Sequence, residues 1–217
     1  LSENESTDAE YLSMRLPGYL DAQGGSDLSA LLAAFQYDPN IRPYQENQEK
    51  TLVYVENYST LRVSEDDTVN FQASAMEGGM EAYAASEIRE GEQLCLQADF
   101  AYTLLKTVQS SMSDSSQAML FDVTDGEDGI RILTFIQLVG GIPVQTEADA
   151  PFARFEFHGN QLMAAQLRLR AYEATGIRKP VLPAMQAAAV VPAKGLRTAL
   201  VYVPDGETCT AIRCYQK

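Results

Sequence analysis

A chain of 217 residues, 46% hydrophobic and 21% charged, can bury a substantial core without disulfide or metal staples and is too mixed in composition to be disordered throughout. Its net charge of −14 argues against two partner classes, because a phosphate backbone needs a basic footprint and an anionic lipid leaflet repels a surface of its own sign. That charge is uneven: residues 154–217 hold 9 Lys and Arg against 4 Asp and Glu, leaving 7 against 26 for residues 1–153. Either the two parts attract each other or the basic part offers a face to an acidic partner.

The chain opens at Leu1, without an initiator methionine, on LSENESTDAE, which is polar, acidic and free of apolar periodicity. Residues 1–15 read as a linker that follows a signal peptide or an N-terminal membrane anchor. From Asp27, a fitting N-cap, Leu28, Leu31, Leu32 and Phe35 recur at helical spacing, and Tyr37-Asp38-Pro39-Asn40 stops the helix. LVYVE from Leu52, TLRV from Thr60 and TVNFQA from Thr68 then alternate between polar turns, which predicts an antiparallel meander. Residues 16–90 form one helix-plus-meander unit in this reading, with a boundary near Glu90-Gly91.

The order repeats over residues 91–217. Leu94, Ala98, Ala101, Leu105 and Val108 share one face of a helix from Glu92 to about Val108, closed by the polar run Ser110 to Ser116. AMLFDV from Ala118 and IRILTFIQLV from Ile130 are strands joined by an acidic turn, and the second is apolar on both faces, which places it centrally in a sheet. In the next hairpin Ala153, Phe155 and Phe157 share one face, and Met163, Ala165, Leu167 and Leu169 share another. A two-residue loop at Gly159-Asn160 would set these faces in opposition. A three-residue loop, Gly159-Asn160-Gln161, or a bulge pairs Phe157 with Met163 and Phe155 with Ala165, and the odd loop is expected. Pro183 opens and Pro192 closes a short Ala-rich helix, followed by strands at 196–203 and 208–215 around the turn Pro204-Asp205-Gly206-Glu207. The fold class expected is α+β: two related units, each a helix on an antiparallel sheet.

Chemistry is sparsely signalled. His158, the single histidine, lies opposite Phe155 and Phe157 on its strand, beside Arg154 and Glu156, where water reaches it, and no GxSxG elbow supplies a nucleophile. Cys95 falls in the first turn of a helix, but its apolar neighbours Leu94 and Leu96 suit a buried thiol. Cys209 and Cys214, five apart on one strand, face opposite sides and cannot bridge. Asp122, Asp125, Glu127 and Asp128 lack the alternation of a calcium loop, Glu65-Asp66-Asp67 reads as a second acidic turn, and no zinc ligand set exists. Gly24-Gly25, Gly78-Gly79 and Gly140-Gly141 have no phosphate-loop spacing and read as turns. No catalytic, cofactor or metal residue is assigned.

Phe135, Gln137, Gly141, Ile142, Pro143 and Val144 form an aromatic-x-Gln-x-x-x-Gly-Ile-Pro-Val phrase followed by the hairpin tip His158-Gly159-Asn160. Over about residues 92–203 this resembles the second half of the YycI/YycH type of bacterial regulatory protein, and more distantly PepSY-like domains. The resemblance implies a membrane anchor, an extracytoplasmic α+β domain in a Gram-positive-type bacterium, and a non-catalytic role tuning a sensor histidine kinase. The function expected is therefore non-enzymatic regulation by protein contact along a sheet face or edge. Two alternatives are a PepSY-like inhibitor or chaperone of a secreted peptidase and a small-ligand module with an apolar cleft.

Overall fold

The computed structural model describes residues 8–20, 25–46, 50–66, 68–84, 91–110, 116–146, 151–190 and 197–216. Alternation of period two runs through most of its strands, so each can bury one face and leave the other to water. The strands are β1 (Asp8–Arg15), β2 (Tyr44–Glu46), β3 (Thr51–Glu56), β4 (Ser59–Ser64), β5 (Thr68–Ala73), β6 (Met80–Glu81), β7 (Gln117–Asp125), β8 (Ile130–Val139), β9 (Ile142–Pro143), β10 (Ala153–His158), β11 (Gln161–Arg168), β12 (Ala171–Pro180), β13 (Arg197–Asp205) and β14 (Thr208–Gln216). The helices are α1 (Gly25–Ala34), α2 (Gln93–Ser110) and α3 (Ala184–Val190), and a 3-10 turn spans Met76–Gly78.

Two antiparallel sheets result. The larger runs β2-β3-β4-β5-β11-β10-β8-β7, with β6 appended to β11 and β9 to β8; the smaller runs β12-β1-β14-β13. On the larger sheet, Leu61, Val63, Val69, Phe71, Leu133, Phe135, Phe155, Phe157 and Leu167 share one buried face with Leu31, Leu32 and Phe35 of α1 and Ala101, Leu105 and Val108 of α2. Phe35 stacks on Phe71 at 5.5 Å, and Phe100 of α2 meets Phe157 edge-on at 6.3 Å, so each helix is keyed to its own part of the sheet. A second core of Leu12, Val139, Ile142, Val144, Tyr172, Leu200, Tyr202 and Cys209 joins the smaller sheet to the end of β8.

Strand accounts for 53% and helix for 22% of the described residues, which overturns the α+β expectation of two related helix-plus-meander units of the PepSY/YycI kind. The fold is mostly antiparallel β. Pairing is the physical reason: β5 bonds to β11 through Gln72↔Ala164 to Thr68↔Arg168, so the early meander and the later strands form one sheet. The stretch assigned to a linker is also corrected, because Asp8–Arg15 pairs along its length with β12, from Asp8↔Pro180 to Arg15↔Ala171. Its alternation was hidden by charge. Leu12 and Ala9 face the second core, while Asp8 meets Arg178 at 3.5 Å and Lys179 lies over the Tyr11 ring at 3.9 Å. One early carboxylate thus meets one late cation across this pair of strands.

The β10–β11 hairpin reaches its common apolar face by a different route from the odd loop. The loop is the two-residue Gly159-Asn160, closed by His158↔Gln161, and a register shift omits Met163. Phe155 pairs with Ala165 as expected, but Phe157 pairs with Leu162, which is fully buried. The bulge performs the parity correction. Residues 85–90, 111–115 and 191–196, which include the expected unit boundary, most of the Ser110–Ser116 run and Pro192, lie outside the described residues.

If Leu12, 1% exposed, belongs to a core strand rather than a linker, Leu12→Ala should destabilise the protein by about 2–4 kcal/mol. Denaturant unfolding measures this; a change under about 0.5 kcal/mol, as at a surface site, would contradict the assignment.

Candidate functional site

The hairpin tip and the Gly-Ile-Pro-Val phrase that drew attention in the sequence both sit at joints of the framework. His158 is exposed at the end of β10, and the tip beside it is clamped: Gln97 Nε2 of α2 donates to Gly159 O at 2.7 Å, Tyr83 Oη donates to the same oxygen at 3.2 Å, and Ala82 N donates to Asn160 O at 2.8 Å. These bonds hold the hairpin between α2 and β6. The phrase around Gln137 is the joint between the sheets. Gln137 is 2% exposed, and its amide donates to Ser116 Oγ at 2.6 Å and to Arg170 O at 3.0 Å, where the chain leaves β11 for β12. Gly140 and Gly141 then turn with φ of 57° and 80°, Ile142 and Val144 enter the second core, and Gln145 N donates to Tyr202 O at 2.7 Å. Glycine is needed at this turn because both residues are left-handed.

Three of the acidic-turn residues have local partners, and Asp67 lies outside the described residues. Arg131 Nε donates to Asp125 at 2.6 Å, Thr124 Oγ1 donates to Asp122 at 3.1 Å, and Glu65 faces Lys50 at 3.3 Å. Among the described residues no group of three or more His, Cys, Asp or Glu side chains could hold a metal ion. Cys95 is exposed rather than buried, because the helix turns it away from Leu94, which packs against the core. Gly25 is the first residue of α1, and Gly24 lies outside the described residues.

The distinctive surface is instead a sheet edge. The described ladders leave four terminal strands, and they differ in protection. β2 is three residues long. β12 carries Arg178, Lys179 and Pro180 and is broken opposite Tyr11, where Gly176 is left-handed. β13 is touched by α3 and bridged by Val144 to Tyr202. β7 is touched by α2 near its start, is nine residues long and contains no Lys, Arg or Pro.

A register shift between Leu120 and Asp122 leaves Phe121 unpaired and turned out, 63% exposed, beside Leu120 at 36%. Tyr102 of α2, also exposed, lines a cleft of about 260 Å³ with Lys106, Gln109, Gln117 and Ala118 along the same edge. Sequence reasoning placed the strand but not its role. The adjacent Leu120-Phe121 pair, which breaks alternation, was the signal available for the bulge.

Burial governs the titration of the remaining groups. It pushes the Cys209 thiol up to about 11 against the opposing charge of Arg170, and it raises Tyr19, Tyr37, Tyr54 and Tyr202 above their ordinary 10.0, with Asp27 adding to Tyr19 and Glu10 to Tyr202. The folded protein therefore holds protons that the unfolded chain releases near pH 9 for cysteine and 10 for tyrosine. Stability from these groups is whole below pH 9 and is lost as pH rises through the folded values.

Thermal melts should accordingly be flat from about pH 7 to 8.5 and fall above about pH 9. A melting temperature that rises across that window would contradict the burial of these groups. Iodoacetamide at about pH 8 should modify Cys95 in the native protein and Cys209 only after denaturant is added, with peptide mass spectrometry as the readout. Native labelling of Cys209 at the rate of Cys95 would show that the second core is open.

No protein-family model, curated protein or solved structure matches this chain.

Proposed function

We propose that this chain is a non-enzymatic protein-interaction module that receives an extended segment of a partner protein along β7. The observation that carries the reading is the edge itself: a nine-residue terminal strand free of Lys, Arg and Pro, with Leu120 and Phe121 presented at a bulge. Strand addition draws affinity from main-chain hydrogen bonds and specificity from alternate side chains in neighbouring pockets, and the Tyr102 cleft supplies such a pocket.

The chemistry of the edge selects the partner. β7 carries Asp122 and Asp125 and no cation, so a second copy would bring carboxylates against carboxylates on a chain whose net charge is −14. An extended segment with basic and apolar residues is complementary. A membrane sensor histidine kinase is the partner class implied by the resemblance of the Phe135–Val144 phrase, and with it an extracytoplasmic, membrane-tethered location. Among the described residues no helix is long and apolar enough to cross a membrane.

The test is photocrosslinking of the full-length protein in cells from benzoylphenylalanine at position 121, with position 45 on the opposite edge as control. The expected result is a membrane protein captured from position 121 alone. Competition by Phe121→Asp in the probed background is not possible, so a second probe at Thr124 is used, and Phe121→Asp should abolish its capture without changing the melting temperature. Equal capture from both edges, or capture that survives Phe121→Asp, would sink the proposal. Recovery of a secreted peptidase would replace the kinase as partner.

A further inference from the structure

At the other side of the larger sheet the chain builds a cleft that the β7 reading does not use. Five strand spacings separate β4 from β7, roughly 24 Å. The cleft, about 340 Å³, lies where the end of α1 (Phe35, Gln36, Tyr37), the β3–β4 turn (Glu56 to Ser59) and the 3-10 turn (Glu77 to Gly79) converge. Phe35, Phe71 and Met80 give it an apolar floor, and each is buried.

Its polar groups are arranged rather than incidental. Tyr37 Oη lies 2.7 Å from Ser59 Oγ, which donates to Glu56 O at 2.8 Å, and the Glu56 carboxylate accepts Asp38 N at 3.0 Å. These bonds hold Glu56 at one wall. Glu77 also lines the cleft, and among the described residues no Lys, Arg or His does so.

The backbone is strained to make this shape. Four non-glycine residues have positive φ among those described, and three of them, Gln36 at 61°, Asn57 at 48° and Tyr58 at 60°, line this cleft. Asn57 and Tyr58 form the two-residue turn of the β3–β4 hairpin, a position that normally takes Asn-Gly. A tyrosine where glycine is the default is held there: the Tyr58 carbonyl accepts Ser74 N at 2.8 Å and Ser74 Oγ at 2.6 Å, and a Cβ on Gly78 would collide with it. The Tyr58 side chain is 71% exposed at the rim. Left-handed backbone at non-glycine residues gathers at binding and other functional positions.

We propose that this cleft binds an alkylammonium or guanidinium group, with Glu56 and Glu77 supplying opposite charge and the Tyr58 ring the rim contact. Carboxylates beside an aromatic face suit a cation whose alkyl stem rests on an apolar floor. The group is the head of a lysine or arginine side chain or of a free amine, which share this chemistry.

The test is proton–nitrogen NMR of the whole chain titrated with two cationic probes, the peptide acetyl-Gly-Lys-Gly-amide and n-butylammonium chloride, with acetyl-Gly-Glu-Gly-amide and sodium chloride as controls. The expected result is saturable shifts confined to residues 36–37, 56–59 and 77–80 with a cationic probe and none with the controls. Tighter binding of the lysine peptide identifies a side chain of a partner as the natural source, and equal or tighter binding of butylammonium identifies a free amine. Glu77→Gln, at an exposed position, should weaken binding about threefold. Tyr58→Gly should weaken it while leaving the melting temperature unchanged or higher, which a merely structural tyrosine would not do. Absence of saturable shifts with both cations, equal shifts with the glutamate peptide, or unaltered affinity in Glu77→Gln would overturn the proposal.

Discussion

Everything in this molecule follows from having to cover one face of a wide antiparallel sheet with only two long packing partners. Eight consecutive hydrogen-bonded strands bring Val63, Phe71, Leu167, Phe155 and Leu133 into one apolar layer, and α1 and α2 lie across it. The opposite face is left with Arg62, Asn70, Gln72, Arg154, Glu156 and Gln166, which border a shallow cleft of about 380 Å³. Arg154 and Glu156 pair there, as do Arg62 and Glu46 at 3.7 Å. A polar face of this kind is the ordinary solution for an antiparallel sheet packed on one side. Binding features therefore gather where the covered face ends, at the outer edge beside α2 and at the turn beside α1.

The joint between the sheets shows how a buried polar side chain can organise a β protein. Gln137 projects toward the covered side, at a position the alternation of β8 would give to an apolar residue, yet its amide has geometry for two acceptors. Ser116 Oγ also accepts from Gln109 Nε2 at 3.0 Å, so the start of β7, the end of α2, β8 and the crossover at Arg170 meet in one network. A satisfied buried network of this sort specifies one arrangement of its elements, because any other leaves donors without partners in a low-dielectric interior. The smaller sheet is hung from that point, and its first strand comes from the opposite end of the chain.

Strain and exposure mark the two candidate surfaces in different ways. At β7 the bulge displaces Phe121 outward while the ladder to β8 resumes on both sides, so the backbone accommodates an apolar side chain facing water. At the β3–β4 turn the left-handed pair Asn57-Tyr58 does the same with a ring. Neither feature adds to the core, and both sit on rigid ladders that fix their position. Among the residues weighed for chemistry, the histidine ends a strand, Asp122, Asp125 and Glu65 have local partners, and the glycine phrase turns a chain.

Local pattern alone determined a good deal of this protein. The strands from Leu52, Thr60, Thr68, Ala118, Ile130 and Ala153, all three helices and the shared apolar face of Phe155 and Ala165 were legible, because period and turn chemistry are properties of neighbouring residues. What alternation cannot carry is which strands become neighbours. β1 was invisible because only Ala9 and Leu12 are buried among charged and polar residues, and β12 because six of its ten residues are polar, glycine or proline on an exposed edge. Those two strands recognise each other across more than 150 residues, and β5 finds β11 across nearly 90. Such pairings are decided by the closing of loops and the sharing of a core, which exist only once the whole chain has collapsed. The same holds for function. Residue types pointed to no particular site, and the β7 edge and the acidic, aromatic cleft each needed three separate segments to meet in space.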